Sequence, residues 1–359
     1  MPWILKMQRS SVSTCVRIPW TRARQWLHFL ILFLVIVLMF TAYKFKTTIK
    51  CFIILETSLL PSPSNNIMTS SFDDLSDSAS QFFVAYPHHY SFILDEPNRC
   101  RQESPFLVLM IPVAPHEREA RDRIRNTWGN QTTVLGQVVS HYFLLGLSRE
   151  DDGKEKLQEQ VLQESQIHQD IIQSNFLDSY NNLTIKTMVM FEWLSSHCPT
   201  TSYAMKVDSD IFLNVHKLTD MLLTAPRHLY MTGLVIRCGV VVQDESSKWY
   251  LPGSAFPEGY YPPYVMGLGY VFSMDLPQKI VEASLHVKAV YIEDVYVGLC
   301  MSYLGIELTD PPHAGLFRAM IPYFTYNCYW TSVIAVILQD SQQLSDVWRV
   351  YQTQVQSGC

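Results

Sequence analysis

The first 50 residues of this chain contain no Asp or Glu, against eight basic side chains (Lys6, Arg9, Arg17, Arg22, Arg24, Lys44, Lys46 and Lys50). The rest of the chain therefore carries 19 of the 27 basic groups against all 33 acidic ones, a net charge of −14. Such a body lacks the basic face that phosphate-backbone binding needs, which excludes nucleic acid as a partner. No Cys-x-x-Cys pair occurs among the eight cysteines, which argues against a zinc framework. Charge is sparse overall, 17% of residues against 48% hydrophobic, low for a wholly soluble chain. Between Phe29 and Phe40 there is no polar residue, and no small-residue cleavage site follows that run. Its length and the 25-residue basic leader before it argue against a cleaved signal peptide.

A membrane anchor is what that run predicts. Trp26 to Tyr43, 18 residues, is apolar apart from His28 and Thr41. At about 1.5 Å per residue it just crosses the hydrocarbon core. Five basic residues precede the span and three follow closely, which keeps the N-terminus cytosolic. The expected organisation is a cytosolic tail at 1–25, a transmembrane signal-anchor at 26–43, a Pro/Ser-rich stem at 44–98 and a lumenal domain at 99–359. Sequons at Asn130 and Asn182 fit a lumenal domain and are its candidate glycosylation sites. Six cysteines beyond residue 90 are expected to form disulfides in an oxidising lumen, in pairings that spacing leaves open.

Within that domain, extended and helical patterns alternate. Phe106–Val113 reads as a buried parallel strand, His116–Trp128 as a helix stopped by Gly129, and Val138–Leu145 as a strand. A polar helix over 151–168, a short extended piece from Asp170 and a core helix over 184–197 follow. Tyr203–Val207 is a strand, Asn214 caps the next helix, and Asp275 caps another that has Pro277 in its first turn. The alternation predicts an α/β domain with a mixed, mostly parallel sheet.

The chemistry centres on Lys206-Val207-Asp208-Ser209-Asp210. A strand ending in Asp-x-Asp projects two carboxylates into the crevice where α/β sheets bind ligands. Two acids so close repel unless a cation lies between them, and a divalent ion carrying a substrate phosphate meets that need. An Asp-rich turn that simply caps the following helix would look the same. Four arginines on the 116–128 helix stand out in an acidic domain, either as a solvated face with Glu/Arg pairs or as an anion-facing surface. The aromatic, Pro-rich stretch from Lys248 to Ser273 suits sugar rings, and its Gly267 and Gly269 permit close backbone approach. Glu293 and Asp294 stand at a helix start, where acids are ordinary dipole complements.

Taken in order, Ile124-Arg125-Asn126-Thr127-Trp128-Gly129, Lys206 through Asn214, Tyr261-Pro262-Pro263-Tyr264 through Tyr270, and Glu293-Asp294-Val295-Tyr296-Val297-Gly298 resemble the β1,3-galactosyltransferase and β1,3-N-acetylglucosaminyltransferase family (glycosyltransferase family 31), type II Golgi membrane enzymes. The resemblance covers roughly residues 100–330. It implies a GT-A-type Rossmann-like fold, a UDP-sugar donor, and inverting transfer to the 3-hydroxyl of an acceptor sugar on a glycoprotein or glycolipid. The galactose donor follows from overall resemblance, particularly Tyr261-Pro262-Pro263-Tyr264.

The resemblance assigns roles. Asp294 is the expected base, with Glu293 second. Asp210 and Asp208 are expected to hold Mn²⁺. Arg121, Arg125, Lys206, Asp208 and Ser209 are candidates for the donor, and Trp249, Tyr264, Gly267 and Gly269 for the acceptor. Two departures matter. Ser209 replaces the middle of a usual Asp triplet, and the metal-binding His expected about nine residues past Cys328 is missing from Val333-Ile334-Ala335-Val336-Ile337-Leu338. The metal is therefore expected to bind weakly. Two other readings are a UDP-N-acetylglucosamine enzyme and a non-catalytic, Golgi-retained homologue.

Overall fold

A computed structural model of the chain describes residues 33–34, 81–149 and 153–359. Phe33 and Leu34 are helical and belong to a unit separate from the folded body at Asn65–Cys359. The rest of the expected anchor, the tail and stem residues 44–80 lie outside the described residues. Among the described residues no helix is long and apolar enough to cross a membrane.

The body starts with β1 (Phe92–Leu94), α1 (Arg99–Glu103), β2 (Leu107–Pro112), α2 (Arg118–Arg125), β3 (Thr133–Val134) and β4 (Gln137–Leu147). It continues with α3 (Lys154–His168), β5 (Ile171–Leu177), α4 (Leu183–His197), β6 (Tyr203–Val207), β7 (Ile211–Leu213), α5 (Val215–Leu223) and β8 (Met231–Ile236). After β9 (Tyr264–Ser273) come α6 (Leu276–Ser284), α7 (Glu293–Tyr303), β10 (Phe317–Arg318), α8 (Tyr329–Ser332), β11 (Ala335–Ile337) and α9 (Gln343–Gln356).

The main sheet runs β1-β5-β4-β2-β6-β9-β8, with β3 paired to β4. Its centre, β5-β4-β2-β6, is parallel, while β1 and the β9-β8 pair run antiparallel. A smaller sheet, β10-β11-β7, extends from the end of β6. Alternate residues of β2 divide between two cores: Val108 and Met110 pack with α4 on one face, Leu107, Leu109 and Ile111 with α2 on the other. A strand covered on both faces reads as an unbroken apolar run, as β2 does. In the first core, Tyr142, Met188, Trp193 and Phe272 are fully buried. A disulfide from Cys100 to Cys198 joins α1 to the end of α4, and Cys328–Cys359 closes the C-terminus.

Two boundaries differ from expectation. Residues 81–98 are part of the folded body and not a stem. Phe83 bridges Val290, β1 pairs with β5, and Phe82 packs on Tyr250 at 5.5 Å. The signal was the apolar content of Phe82-Phe83-Val84 and Phe92-Ile93-Leu94, which polar neighbours interrupt. Asp275 does not cap α6. Its carboxylate accepts the Leu229 N–H (3.2 Å) and the Ser273 hydroxyl (2.6 Å), tying β9 to the chain before β8. Asn214 does cap α5, accepting the Lys217 N–H at 2.9 Å.

Candidate active site

β6 is buried along its whole length and delivers Asp208, Ser209 and Asp210 to its carboxyl end, all partly buried. The preceding residue but one, Lys206, is only 4% exposed. Its ammonium lies 2.6 Å from Asp208 Oδ1 and 3.0 Å from Glu293 Oε1, and donates to the Gly267 carbonyl at 2.6 Å. Burial works against the charge on Lys206, but these two acids outweigh it and hold its pKa above the ordinary lysine value. Lys206 is thus an internal tie and not a free donor contact.

Glu293 and Asp294 open α7. Glu293 is 6% exposed, and burial pushes its carboxyl up to about 7 despite Lys206. Asp294 is less covered. Its Oδ2 accepts the Gly267 N–H and its Oδ1 the Val295 N–H, each at 2.9 Å. Burial raises its pKa and those two backbone donors oppose the rise. Gly267 therefore bridges the site: its carbonyl takes Lys206 and its amide holds Asp294. Asp210 is pushed up to about 6, first by burial and then by the charge of Asp208. The structure thus brings Asp208, Asp210, Glu293, Asp294, Lys206 and Gly267 together.

Packing explains two of the glycines. A Cβ on Gly269 would lie 2.8 Å from Met205 Cε and 3.3 Å from the Lys206 carbonyl, so this glycine packs closely on β6. A Cβ on Gly298 would come within 2.6 Å of Tyr264 Cβ, so its absence lets α7 press against the start of β9. That contact holds Tyr264 near Asp294, and its hydroxyl is pushed up to about 12 by burial and then by the Asp294 charge. Trp249 is half exposed, with the Lys248 ammonium 4.7 Å from its ring centre.

The arginines take a different place from the one expected. Arg121 is fully buried and its guanidinium is spent internally: Nε and Nη2 reach Glu164 at 2.8 and 2.7 Å, and Nη1 and Nη2 reach the carbonyls of Ala114 and Pro115. Arg125 bonds Asp170 in a fork at 2.8 and 2.7 Å, with Glu164 and Asp122 at 2.7 Å. This corrects the donor-binding assignment of Arg121 and Arg125: besides Asp122 of α2 itself, their acids come from α3 (Glu164) and the residue before β5 (Asp170), and the cluster locks α2 to them. Sequence reasoning also missed Lys186, a buried lysine of α4. It reaches the Val113 carbonyl at 2.9 Å and Asp178 at 2.8 Å, and Asp178 in turn accepts the Gly146 N–H. That pair closes the carboxyl ends of β2, β4 and β5, and its one sequence signal is a lysine within a core helix pattern.

For a divalent ion, the available donors are Asp208 and Asp210. Among the described residues no group of three or more His, Cys, Asp or Glu side chains is placed to hold a metal. Position 337 comes alongside this pair. β11 runs antiparallel to β7 with Ile337 opposite Ile211, and the Leu338 N–H donates to the Asp210 carbonyl at 2.9 Å. An aliphatic residue thus stands in the strand next to Asp210, where the resemblance expects imidazole. The two carboxylates still fit an oxygen-preferring ion that takes its remaining ligands from a diphosphate and water. Of the candidate glycosylation sites, Asn130 is exposed, while Asn182 is half buried and donates its amide to the Leu177 carbonyl.

The described geometry agrees with what sequence comparison finds. A family model described as Galactosyltransferase matches residues 119–312. Beta-1,3-galactosyltransferase 2 of Pongo abelii is 39% identical over 281 residues, 77% of this chain and 66% of that protein. The Homo sapiens protein of the same name is 38% identical over 275 residues, 76% of this chain and 64% of its own. The chain therefore matches just under two thirds of the length of these relatives. Beta-1,3-galactosyltransferase 1 of Mus musculus is 40% identical over 265 residues, 73% of this chain and 78% of that protein. With a family model matching over half of its length and a relative of this identity covered so fully, the chain belongs to the galactosyltransferase family.

Proposed function

We propose that this chain is an inverting β1,3-galactosyltransferase with a GT-A-type fold, moving galactose from UDP-galactose to the 3-hydroxyl of a terminal GlcNAc, GalNAc or Gal on a glycoprotein or glycolipid. The observation that carries this reading is the meeting of an acidic strand end and an acidic helix start across one lysine and one glycine. Inversion requires a base on the face opposite the leaving group, and a carboxylate can take the acceptor proton as its oxygen attacks the anomeric carbon. Asp294 suits that part better than Glu293, because it is less buried and is held by two backbone N–H groups that leave lone pairs free. The bond from the anomeric carbon to the diphosphate breaks as the new glycosidic bond forms. Asp210 and Asp208 would hold Mn²⁺, which would supply Lewis-acid stabilisation of the departing diphosphate. Lys206 keeps Asp208 and the base-bearing helix in register through this change.

We place the protein as a single-pass type II Golgi membrane protein with its catalytic domain lumenal. The apolar run at 26–43, its basic flank and the disulfides Cys100–Cys198 and Cys328–Cys359 support this. The test of function is a donor screen on the purified full-length chain, with a panel of UDP-sugars, with Mn²⁺ and with EDTA. The expected product is a β1,3-linked galactoside, its linkage read by NMR. Consumption of UDP-N-acetylglucosamine instead would change the donor. Ile337 beside Asp210 favours a second reading, a binding protein that has lost transfer, and no product from any donor at any Mn²⁺ level would favour it.

A further inference from the structure

Past Arg318 the chain carries no Asp, Glu, Lys, Arg or His until Asp340, a neutral run in a chain whose net charge beyond residue 50 is −14. Its first part, residues 319–327, is an irregular loop that joins β10 to α8. Met320 is 72%, Tyr323 94%, Phe324 84% and Tyr326 62% exposed, and among the described residues no large apolar side chain is more exposed than the first three. The Tyr323 and Phe324 rings pack edge to face with their centres 4.7 Å apart. Apolar surface this concentrated marks an interaction site.

The root of the loop is fixed. Cys328 is bonded to Cys359, the Tyr326 and Ser332 hydroxyls lie 2.7 Å apart, and the Trp330 N–H donates to Gln354 Oε1 at 3.0 Å. Ile321 packs against the core on the α2 face of the sheet. The loop is thus a braced projection and not a hinged cover. It leaves the small sheet at the edge where Asp210 enters it: β10 is parallel to β11 with Arg318 opposite Val336, and β11 is antiparallel to β7 with Ile337 opposite Ile211.

Two occupants fit an apolar projection, a second protein and a lipid surface. Stable protein pairs bury about 800 Å² on each side across a broad face, which a loop of nine residues does not offer. The composition matches the other case. Tyrosine rings with polar tips sit at the headgroup level of a bilayer, and Met and Phe enter the acyl boundary beneath it. The span proposed at 26–43 holds the body to a bilayer through residues 44–80, so such a surface is always within its tether. Electrostatics then select the lipid. A neutral loop on an acidic body gains nothing from anionic headgroups, which attract basic segments.

We propose that residues 319–327 form a docking finger that seats the body on a neutral lipid surface, with Tyr323 and Phe324 at its tip. The finger is a binding surface separate from the reacting groups, and it places the Asp210 edge of the site beside the bilayer.

The test uses the full-length chain in phosphatidylcholine vesicles whose lipid is brominated on its acyl chains. The added emission of Phe324→Trp is expected to be quenched about twofold, as for a ring lying ~5–10 Å into the interface, and to be insensitive to salt. Ile167→Trp, at an exposed position on α3, gives the background and should keep its added emission. A second measurement compares transfer to an acceptor glycan carried on a lipid in the same vesicles with transfer to the soluble glycan. Tyr323→Ser with Phe324→Ser is expected to lower that ratio about tenfold, with soluble transfer and the melting curve held. Equal emission from Phe324→Trp in brominated and ordinary lipid would overturn the finger. Loss of transfer to both acceptors with a parental melt would overturn it in favour of a role at the donor, and a change in oligomeric state in the double variant would overturn it in favour of a second copy. Quenching of Phe324→Trp in a protein that transfers no sugar at all would sink the galactosyltransferase reading and leave the finger standing.

Discussion

Replacing Lys206 with Met isolates the charge balance of the site. The substitution keeps the length of the side chain and removes the ammonium. Three partners lose it: Asp208 at 2.6 Å, the Gly267 carbonyl at 2.6 Å and Glu293 at 3.0 Å. Asp208 is 40% exposed and recovers water, so its loss is small. The Gly267 bond to a charged donor is worth about 2 kcal/mol. Glu293, 6% exposed, is the partner whose cost depends on pH.

A carboxyl raised in the folded state keeps its proton where the unfolded chain has lost it. Stability therefore falls as pH rises from the ordinary glutamate value to about 7 in the parent, and is level with respect to Glu293 above that. Lys206 stays charged throughout, since its pKa lies above the ordinary lysine value. Without the ammonium Glu293 titrates higher still, so in the variant the fall continues beyond pH 7. Between pH 7 and 8.5 that adds about 2 kcal/mol, at roughly 1.4 kcal/mol per pH unit. The expected penalty is about 2 kcal/mol at pH 6 and about 4 kcal/mol at pH 8.5. Urea melts of both proteins at the two pH values, followed by tryptophan fluorescence, give the numbers. A penalty that is equal at both pH values, or smaller at 8.5, would show that Glu293 does not depend on Lys206.

Asp294→Asn is expected to lower kcat about 10²- to 10⁴-fold with UDP affinity and melting nearly unchanged; full turnover there alongside loss in Glu293→Gln would exchange their roles. Ile337→His is expected to lower the Mn²⁺ concentration for half-maximal transfer and to tighten Mn²⁺–UDP binding by calorimetry, because position 337 lies alongside Asp210. Unchanged titrations would refute that placement. Arg121→Met is expected to cost about 3–5 kcal/mol, since it leaves Glu164 buried with fewer partners, while UDP affinity holds. Weakened UDP binding with a parental melting curve would restore the donor contact that the structure takes from Arg121.

Local patterns carried the elements well. β6 spans Tyr203–Val207 as its apolar run reads, and α4 starts within one residue of the pattern carried by Ile185, Met188, Val189 and Trp193. The Asn214 cap is likewise a local signal, settled within three residues. Partners set by packing were not legible. Arg121 meets Glu164 across 43 residues and Arg125 meets Asp170 across 45, and both arginines lie on a helix face that would look the same turned toward a phosphate. Glycine showed the same limit. Gly267 and Gly269 are indistinguishable as letters, yet one joins the base to the lysine and the other makes room for Met205. Lys206 lies in the motif from which the resemblance draws donor contacts, and only the fold of α7 onto β9 brings Glu293 to it.

That folding leaves a charge imbalance which bears on the cofactor. Four carboxyl groups, Asp208, Asp210, Glu293 and Asp294, converge where Lys206 is the ammonium in contact. Lys206 can offset one unit of negative charge, and it divides that between Asp208 and Glu293. Asp294 is steadied by two backbone N–H groups, which bring no net charge. Asp210 has Asp208 as its nearest charged neighbour in effect, and it is pushed toward neutrality along with Glu293 and Asp294. A site in which three of four acids are driven up is short of positive charge. A donor diphosphate would add further negative charge to the same place, so bare UDP-sugar would meet repulsion at Asp208 and Asp210. A divalent ion arriving with the diphosphate resolves both deficits at once, and this supports the proposed Mn²⁺ even though position 337 offers it no ligand.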